Sequence, residues 1–414
     1  MKKIFTSIAI FLAAMHFLAA QPVTPEISSW DRNTTGLTGY NNISANVQKV
    51  QYSADNVYVS CSCIPGYSIG PWLNNPNIPI NQNFVFKITR KPKPNTGTLT
   101  NVGLGHVGIW SNGVSIDNAW DAMTYNNEGV WKRNALVYEG VSFDNCLGHP
   151  QQRGEYHHHV NPTCLYNDKD STHHSPIIGY MFDGYPVYGA YAYTNIDGTG
   201  AIKRMVSSFR TRNITQRTTL PNGNIASKVG PAINSTYPIG NFLQDWEYVQ
   251  GLGDLDEHNG RFCQTPEYPN GIYAYFVTID VNLKPVYPFV IGDTYYGTVQ
   301  IGNTGPGSGH VTISEATTVY NGTNTGIDNI SNKIQYRILP NPSSDYLHIY
   351  MDENSINNVK ASIFDSKGSL IEKRDFVQPS IAYSFDLSNY QDGLYFLYLE
   401  TDNQKVVHKF LKTK

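Results

Sequence analysis

A chain of 414 residues with 15% charged and 40% hydrophobic side chains is too long for one small domain and too apolar to stay disordered. Its 29 Tyr, 35 Gly and 23 Pro favour half-buried pleated surfaces and turns over helix, so the expected fold class is all-β. The formal net charge of −3 comes without a basic block to hold a phosphate backbone, which argues against nucleic acid as a partner.

Lys2 and Lys3 precede an apolar run from Ile4 to Ala20 that ends in two small residues. This is the pattern of a cleavable export signal over residues 1–20, with cleavage expected before Gln21. The run is short for a membrane anchor, no Cys follows to carry a lipid, and no later stretch approaches the length of a transmembrane helix. Export to an oxidising compartment makes disulfides available to the five cysteines.

Alternation in Val57-Tyr-Val-Ser-Cys-Ser-Cys63 predicts a strand with Val57, Val59, Cys61 and Cys63 on one face. Two Cys at that spacing lie near the geometric limit for bridging each other. Gly66-Tyr-Ser-Ile-Gly70 satisfies the Gly-x-Ser-x-Gly pattern, but Pro71, Pro76 and Pro79 follow, so the required helix cannot start and Ser68 is expected in a loop. A strand is expected from Phe84. Val107–Ser111 and Val114–Asp117 flank Asn112-Gly113, and Ile177–Phe182 and Tyr185–Tyr188 flank Asp183-Gly184, so each pair is expected to form a hairpin. Further strands are expected over Tyr273–Ile279 and Tyr295–Val299.

Between the two hairpins lies a dense histidine cluster. Of twelve His, eight fall between residues 106 and 258, including His149, His157-His158-His159 and His173-His174. On an extended strand His157 and His159 point to one side and His158 and Tyr156 to the other. A His-x-His pair of this kind is a natural two-point chelate, to be completed by His149 upstream and His174 downstream. Imidazole-rich sites suit transition metals, here zinc or copper, rather than magnesium or calcium. A bridge between Cys146 and Cys164, which flank the cluster, would close a loop of about 19 residues and contribute about 3 kcal/mol. Cys263 is left to pair with Cys61 or Cys63, with one thiol over.

Asp183 and the run Asp254–Gly260 supply nearby acids. Asp183, in Asp-Gly, is first of all a turn residue. Asp256 or Glu257 is placed to orient a ligating imidazole through its second nitrogen, or to act as a base beside the metal. His258 and a late Gly exclude an EF-hand reading of the same run. No nucleophile paired with a base is evident for metal-free hydrolysis.

Near residue 330 the composition shifts. Residues 333–414 hold no Trp, no Cys and two of the 35 Gly, and they are joined by a polar Thr/Asn/Gly linker over 317–332. Turns at Asp365–Gly368 and Asp402–Gln404 separate strand pairs in this part. Leu339-Pro-Asn-Pro342, Asp392-Gly-Leu-Tyr395 and the closing Lys409-Phe-Leu-Lys412 resemble the type A sorting domain of the type IX secretion system. The resemblance implies the secretion machinery as partner, passage through the outer membrane, and a final location at the cell surface or outside the cell.

The earlier part, residues 21–316, resembles the YHYH-domain proteins, named for a Tyr-His-Tyr-His strand that corresponds to Tyr156–His159. His158 stands where that pattern has its second Tyr. Phe143–His149, His174–Tyr180, Phe182–Gly189, Leu255–Phe262, Thr265–Pro269 and Tyr295–Gly297 carry the resemblance onward. It implies a fold unit and no particular activity. The sequence therefore predicts a large irregular antiparallel β domain followed by a small β-sandwich. It is expected to bind a transition metal through its histidines, with a non-catalytic carbohydrate-binding or adhesion module as the alternative.

Overall fold

The computed structural model describes residues 23–322, 336–339, 342–351, 359–376, 382–401 and 405–413. The expected export signal, most of the expected linker, Pro340 and Asn341 of the Leu-Pro-Asn-Pro segment, and the turn at Asp402–Gln404 lie outside them. The chain divides into two compact units at Gly322/Thr323. Among the described residues, α-helix is confined to two four-residue turns, Pro25–Ser28 and Ala135–Tyr138.

The first unit is built on an eight-stranded sheet. In spatial order its strands are Gly260–Cys263, Ile272–Phe276, Pro186–Tyr188, Ile177–Met181, His106–Trp110, Ser115–Asp117, Tyr156–His158 and His149–Pro150. Most neighbours are antiparallel, but Pro186–Tyr188 pairs parallel with Ile272–Phe276, and Ser115–Asp117 parallel with Tyr156–His158. A second sheet holds Thr318–Val319, Val47–Tyr52, Asn56–Cys61 and Phe84–Thr89.

Period-two alternation explains how the large sheet buries both faces. Ile109, Ile177, Tyr180 and Phe276 pack with Val57, Val59, Phe84 and Phe86 of the second sheet. Their chain neighbours Trp110, Ile178, Met181 and Tyr275 join the core on the opposite face.

Both expected hairpins form, each with a three-residue loop closed by a left-handed Gly. Trp110 N donates to Val114 O across Ser111-Asn112-Gly113, and Met181 N donates to Tyr185 O across Phe182-Asp183-Gly184. Gly113 has φ 81° and Gly184 φ 90°, the conformation such a loop needs at its last position. At Gly113 a side chain is excluded twice over, because a Cβ there would lie 2.5 Å from the Cβ of Cys61.

Three expectations are corrected. Tyr295–Val299 is not a strand. Its Gly297 makes an isolated bridge to Pro94 and the preceding Thr294 makes one to Asn101, while Tyr295 is buried and its hydroxyl donates to Val107 O at 2.9 Å. Its large side chains go into the core in place of a ladder. Cys63 lies beyond the end of its strand with φ 64°, although it is buried in the same core as Cys61. Cys61, Cys63 and Cys263 are all free and buried, so no bridge joins Cys263 to either. Ser68 sits in an exposed loop, as expected.

The second unit pairs a sheet of Tyr336–Leu339, Tyr346–Met351 and Ala382–Asp386 with one of Leu370–Phe376, Val359–Asp365, Gly393–Thr401 and Lys405–Lys412. Leu347, Ile349 and Phe385 of the first sheet share a core with Ile363, Leu397 and Phe410 of the second. The turn at Asp365–Gly368 closes as expected, with Gly368 N donating to Asp365 O at 3.0 Å.

Candidate metal centre

The histidine site follows from strand register. His149, on the edge strand, pairs directly with His157, which puts the two imidazoles on one face. His159, two residues further along, shares that face. The Nε2 atoms of His149 and His157 are 3.1 Å apart, and those of His157 and His159 are also 3.1 Å apart. Ligand atoms of all three lie within 4.8 Å of one another, and all three residues are buried. Tetrahedral zinc–imidazole bonds would set nitrogens about 3.3 Å apart, so this spacing is close to a coordination shell.

The opposite ring nitrogens determine the tautomers. His159 Nδ1 donates to the Asn118 carbonyl, and His157 Nδ1 donates to the Glu155 carbonyl at 3.3 Å. The Ser142 hydroxyl donates to Glu139 O at 2.8 Å, leaving its oxygen to accept from His149 Nδ1 at 2.7 Å. Each Nδ1 therefore carries a proton, so that each ring in its neutral form presents a bare Nε2 lone pair to its neighbours. Three such lone pairs facing one another repel unless a proton or a metal ion is shared among them. One proton satisfies a single Nε2···Nε2 contact, whereas one metal ion satisfies all three nitrogens.

A short capped segment brings a carboxylate to the same point. Asn134 caps Ala135–Tyr138 by accepting from Leu136 N at 3.1 Å, and Glu139 follows at the C-terminal end. The next turn, Gly140–Ser142, delivers the hydroxyl to His149. Glu139 Oε2 lies 3.3 Å from His159 Nε2 and 3.9 Å from His149 Nε2, buried and without a hydrogen-bond partner. Burial works to raise the Glu139 pKa, but His159 outweighs it and holds the carboxyl below its ordinary value. Burial likewise opposes charge on His159, yet Glu139 raises its pKa overall. Glu139 lies farther from His149, at 3.9 Å, and there burial followed by the neighbouring imidazoles pushes the pKa down. Phe143 covers the cluster, its ring 4.8 Å from that of His149 and stacked 6.1 Å from that of His159.

Cys146 and Cys164 are bridged, with Cα atoms 5.1 Å apart, and the bridge encloses the segment bearing all three histidines. The histidines open on a cleft of about 680 Å³, whose wall includes Asp117, Trp120, Tyr138 and Glu139. Asp117 is buried with Oδ1 unpartnered, and burial raises its pKa.

Other expected site residues lie elsewhere. His174 is not in the cluster: its ring packs against Tyr188, Tyr193 and Phe276, and its Nδ1 bonds the Ser175 carbonyl at 2.7 Å. Chain proximity to the strand does not bring it into the same pocket. Asp183 accepts from the Tyr275 hydroxyl at 2.7 Å and Gly297 N at 2.8 Å, and Asp256 accepts from the Tyr273 hydroxyl at 2.8 Å. These acids hold a tyrosine-rich core together, and neither is hydrogen-bonded to the imidazoles of His149, His157 or His159. Glu257 does not line the cleft either. The orienting groups are Ser142, Asn118 O and Glu155 O, which sequence reasoning missed because no spacing rule identifies two backbone carbonyls and a serine.

One arrangement resembles a nucleophile relay. His106 Nε2 lies 2.8 Å from Ser308 Oγ, and His106 Nδ1 lies 2.9 Å from Glu155 Oε1. The Ser308 hydroxyl is directed at the carbonyls of Asn303 and Gly305, at 2.8 and 2.6 Å, so its oxygen accepts from His106. With Phe84, Phe86 and Phe182 around the His106 ring, this is a buried clamp on the loop carrying Ser308.

The architecture and site define an exported β protein with a buried histidine triad able to coordinate a metal ion. The chain contains a YHYH domain, matching the family described as YHYH protein over residues 85–287, and a secretion system C-terminal sorting domain over residues 337–413. The sorting domain directs export to the cell surface or extracellular space. No helix among the described residues is long and apolar enough to cross a membrane. No curated protein matches the chain. Among solved structures, a DUF3244 family protein with an immunoglobulin-like β-sandwich fold from Bacteroides vulgatus is 14% identical, over 20% of this chain and 95% of its own. Its TM-score of 0.17 is too low to carry an inference.

Proposed function

We propose that this exported protein holds one zinc or copper ion through the Nε2 atoms of His149, His157 and His159, with Glu139 as a fourth donor. The observation that carries the reading is the set of three Nε2 lone pairs, each left bare by an Nδ1 committed to a carbonyl or hydroxyl acceptor. Nitrogen-rich donors with one carboxylate suit zinc and copper. An ion held so would supply Lewis acidity or, as copper, electron transfer at the floor of the cleft. This chain's residues fix the imidazoles, exclude bulk water through Phe143, and keep one side open to the cleft.

A carbohydrate-binding role through the aromatic faces is less well supported. The Trp120 ring already carries Lys132 Nζ at 4.5 Å, and the Tyr138 ring carries the Arg133 guanidinium at 4.2 Å. Elemental analysis of the full chain, purified without a histidine tag, tests the proposal beside the His157→Ala/His159→Ala variant. Near-stoichiometric zinc or copper is expected in the first and none in the second. No metal in either, with a melting temperature unmoved by added zinc or copper, sinks it.

A further inference from the structure

We propose that the cleft in front of the histidines receives a small, uncharged ligand that carries an apolar tail, with its polar head at the metal. This rests on the metal reading above and names the class of molecule the site takes.

The size fits a small molecule: about 680 Å³ falls inside the usual range for ligand pockets, about 300–1,000 Å³. The rim supplies the apolar contact. Leu73, Met123 and Val141 come from three separate segments and all border this cleft, with 63%, 42% and 60% of their surface exposed. Single exposed hydrophobics are ordinary, but three converging on one concave site mark a place where apolar surface is covered.

Charge sets the head group. Among the described residues, no Lys or Arg lines the cleft, whereas Asp117, Asp121 and Glu139 do. Asp121 is paired with Arg133, whose Nε lies 2.6 Å from its carboxylate. Asp117 and Glu139 remain, and neither meets a Lys or Arg side chain in the cleft lining. A ligand with an anionic tail would therefore lie along acidic walls with no Lys or Arg to meet it, at a desolvation penalty. A neutral donor carries no such penalty.

The test uses the full chain loaded with copper(II), titrated with 1-methylimidazole, 1-pentylimidazole and 5-(imidazol-1-yl)pentanoate while the visible copper band is followed. Each fully buried methylene is worth about fourfold in affinity, so four partly buried ones should give at least about tenfold. We expect 1-pentylimidazole to bind at least that much tighter than 1-methylimidazole, and the carboxylate-tailed probe to lose the gain. Leu73→Ser and Met123→Ser, both at exposed positions, should each shrink the pentyl-to-methyl ratio at least about threefold while leaving the methyl affinity unchanged. Equal affinities for the methyl and pentyl probes, or tighter binding of the carboxylate, overturn the inference. Metal content is measured on the same samples. A wild-type protein without metal defeats the metal reading and this one together, whereas metal retained with a flat chain-length series defeats this one alone.

Discussion

His158 makes the fold of the first unit acid-sensitive by an amount that follows from its surroundings. The ring is fully buried, set edge-on between Tyr156 at 5.2 Å and Trp110 at 6.3 Å. Burial, followed by the charges of His157 and His159, pushes its pKa down to about 3. In the unfolded chain the same group titrates near its ordinary value, about 6.5. As pH falls below that value the unfolded chain takes up the proton first. The stabilisation is thus complete above about pH 6.5 and is lost progressively toward pH 3. At pH 4.5, about two units into that window, the loss from this one residue is about 3 kcal/mol. His158→Phe keeps an aromatic ring and removes the titration. The assay is urea unfolding of metal-stripped protein at pH 7.5 and 4.5, followed by tryptophan fluorescence. All six Trp lie between residues 30 and 246, so the signal reports the first unit. Wild-type protein should lose about 3 kcal/mol more than the variant between the two pH values. Equal losses would refute the reasoning.

Ser142→Ala removes the acceptor of His149 Nδ1 and should weaken metal affinity about 10- to 100-fold, read by competition with a chromogenic chelator, with one ion still bound at saturation. Replacing both Cys146 and Cys164 by Ala should lower the unfolding free energy of the first unit by about 3 kcal/mol in urea titrations. His174→Ala should leave metal content unchanged by elemental analysis, since its ring belongs to the Tyr188–Phe276 side of the molecule. Loss of metal in that variant would contradict its placement.

What could be read from the chain is what short-range geometry dictates. The Asn112-Gly113 and Asp183-Gly184 turns appear where Gly is needed at positive φ, and the shared face of His157 and His159 follows from strand alternation. The pairing of Cys146 with Cys164 was legible from position. Beyond such local rules the sequence misled. His174 follows His159 by 15 residues in the chain, yet the strand that begins at Ile177 carries it toward the other core. Glu139 and Ser142 come from a helical turn and a 3-10 turn too short for any periodic signal. The core roles of Asp183 and Asp256 depend on Tyr275 and Tyr273, hydroxyls more than fifteen residues away in the chain.

The bridge around the histidine segment also bears on timing. In a reducing cytoplasm its two thiols stay apart, and ordering His149, His157 and His159 together carries the full entropy of that loop. Oxidation after export removes much of that entropy before any ion arrives. Under the proposed metal reading the chain would compete weakly for an ion inside the cell and more strongly once it has left, so that the supply outside, not the cytosolic store, would decide which ion it takes.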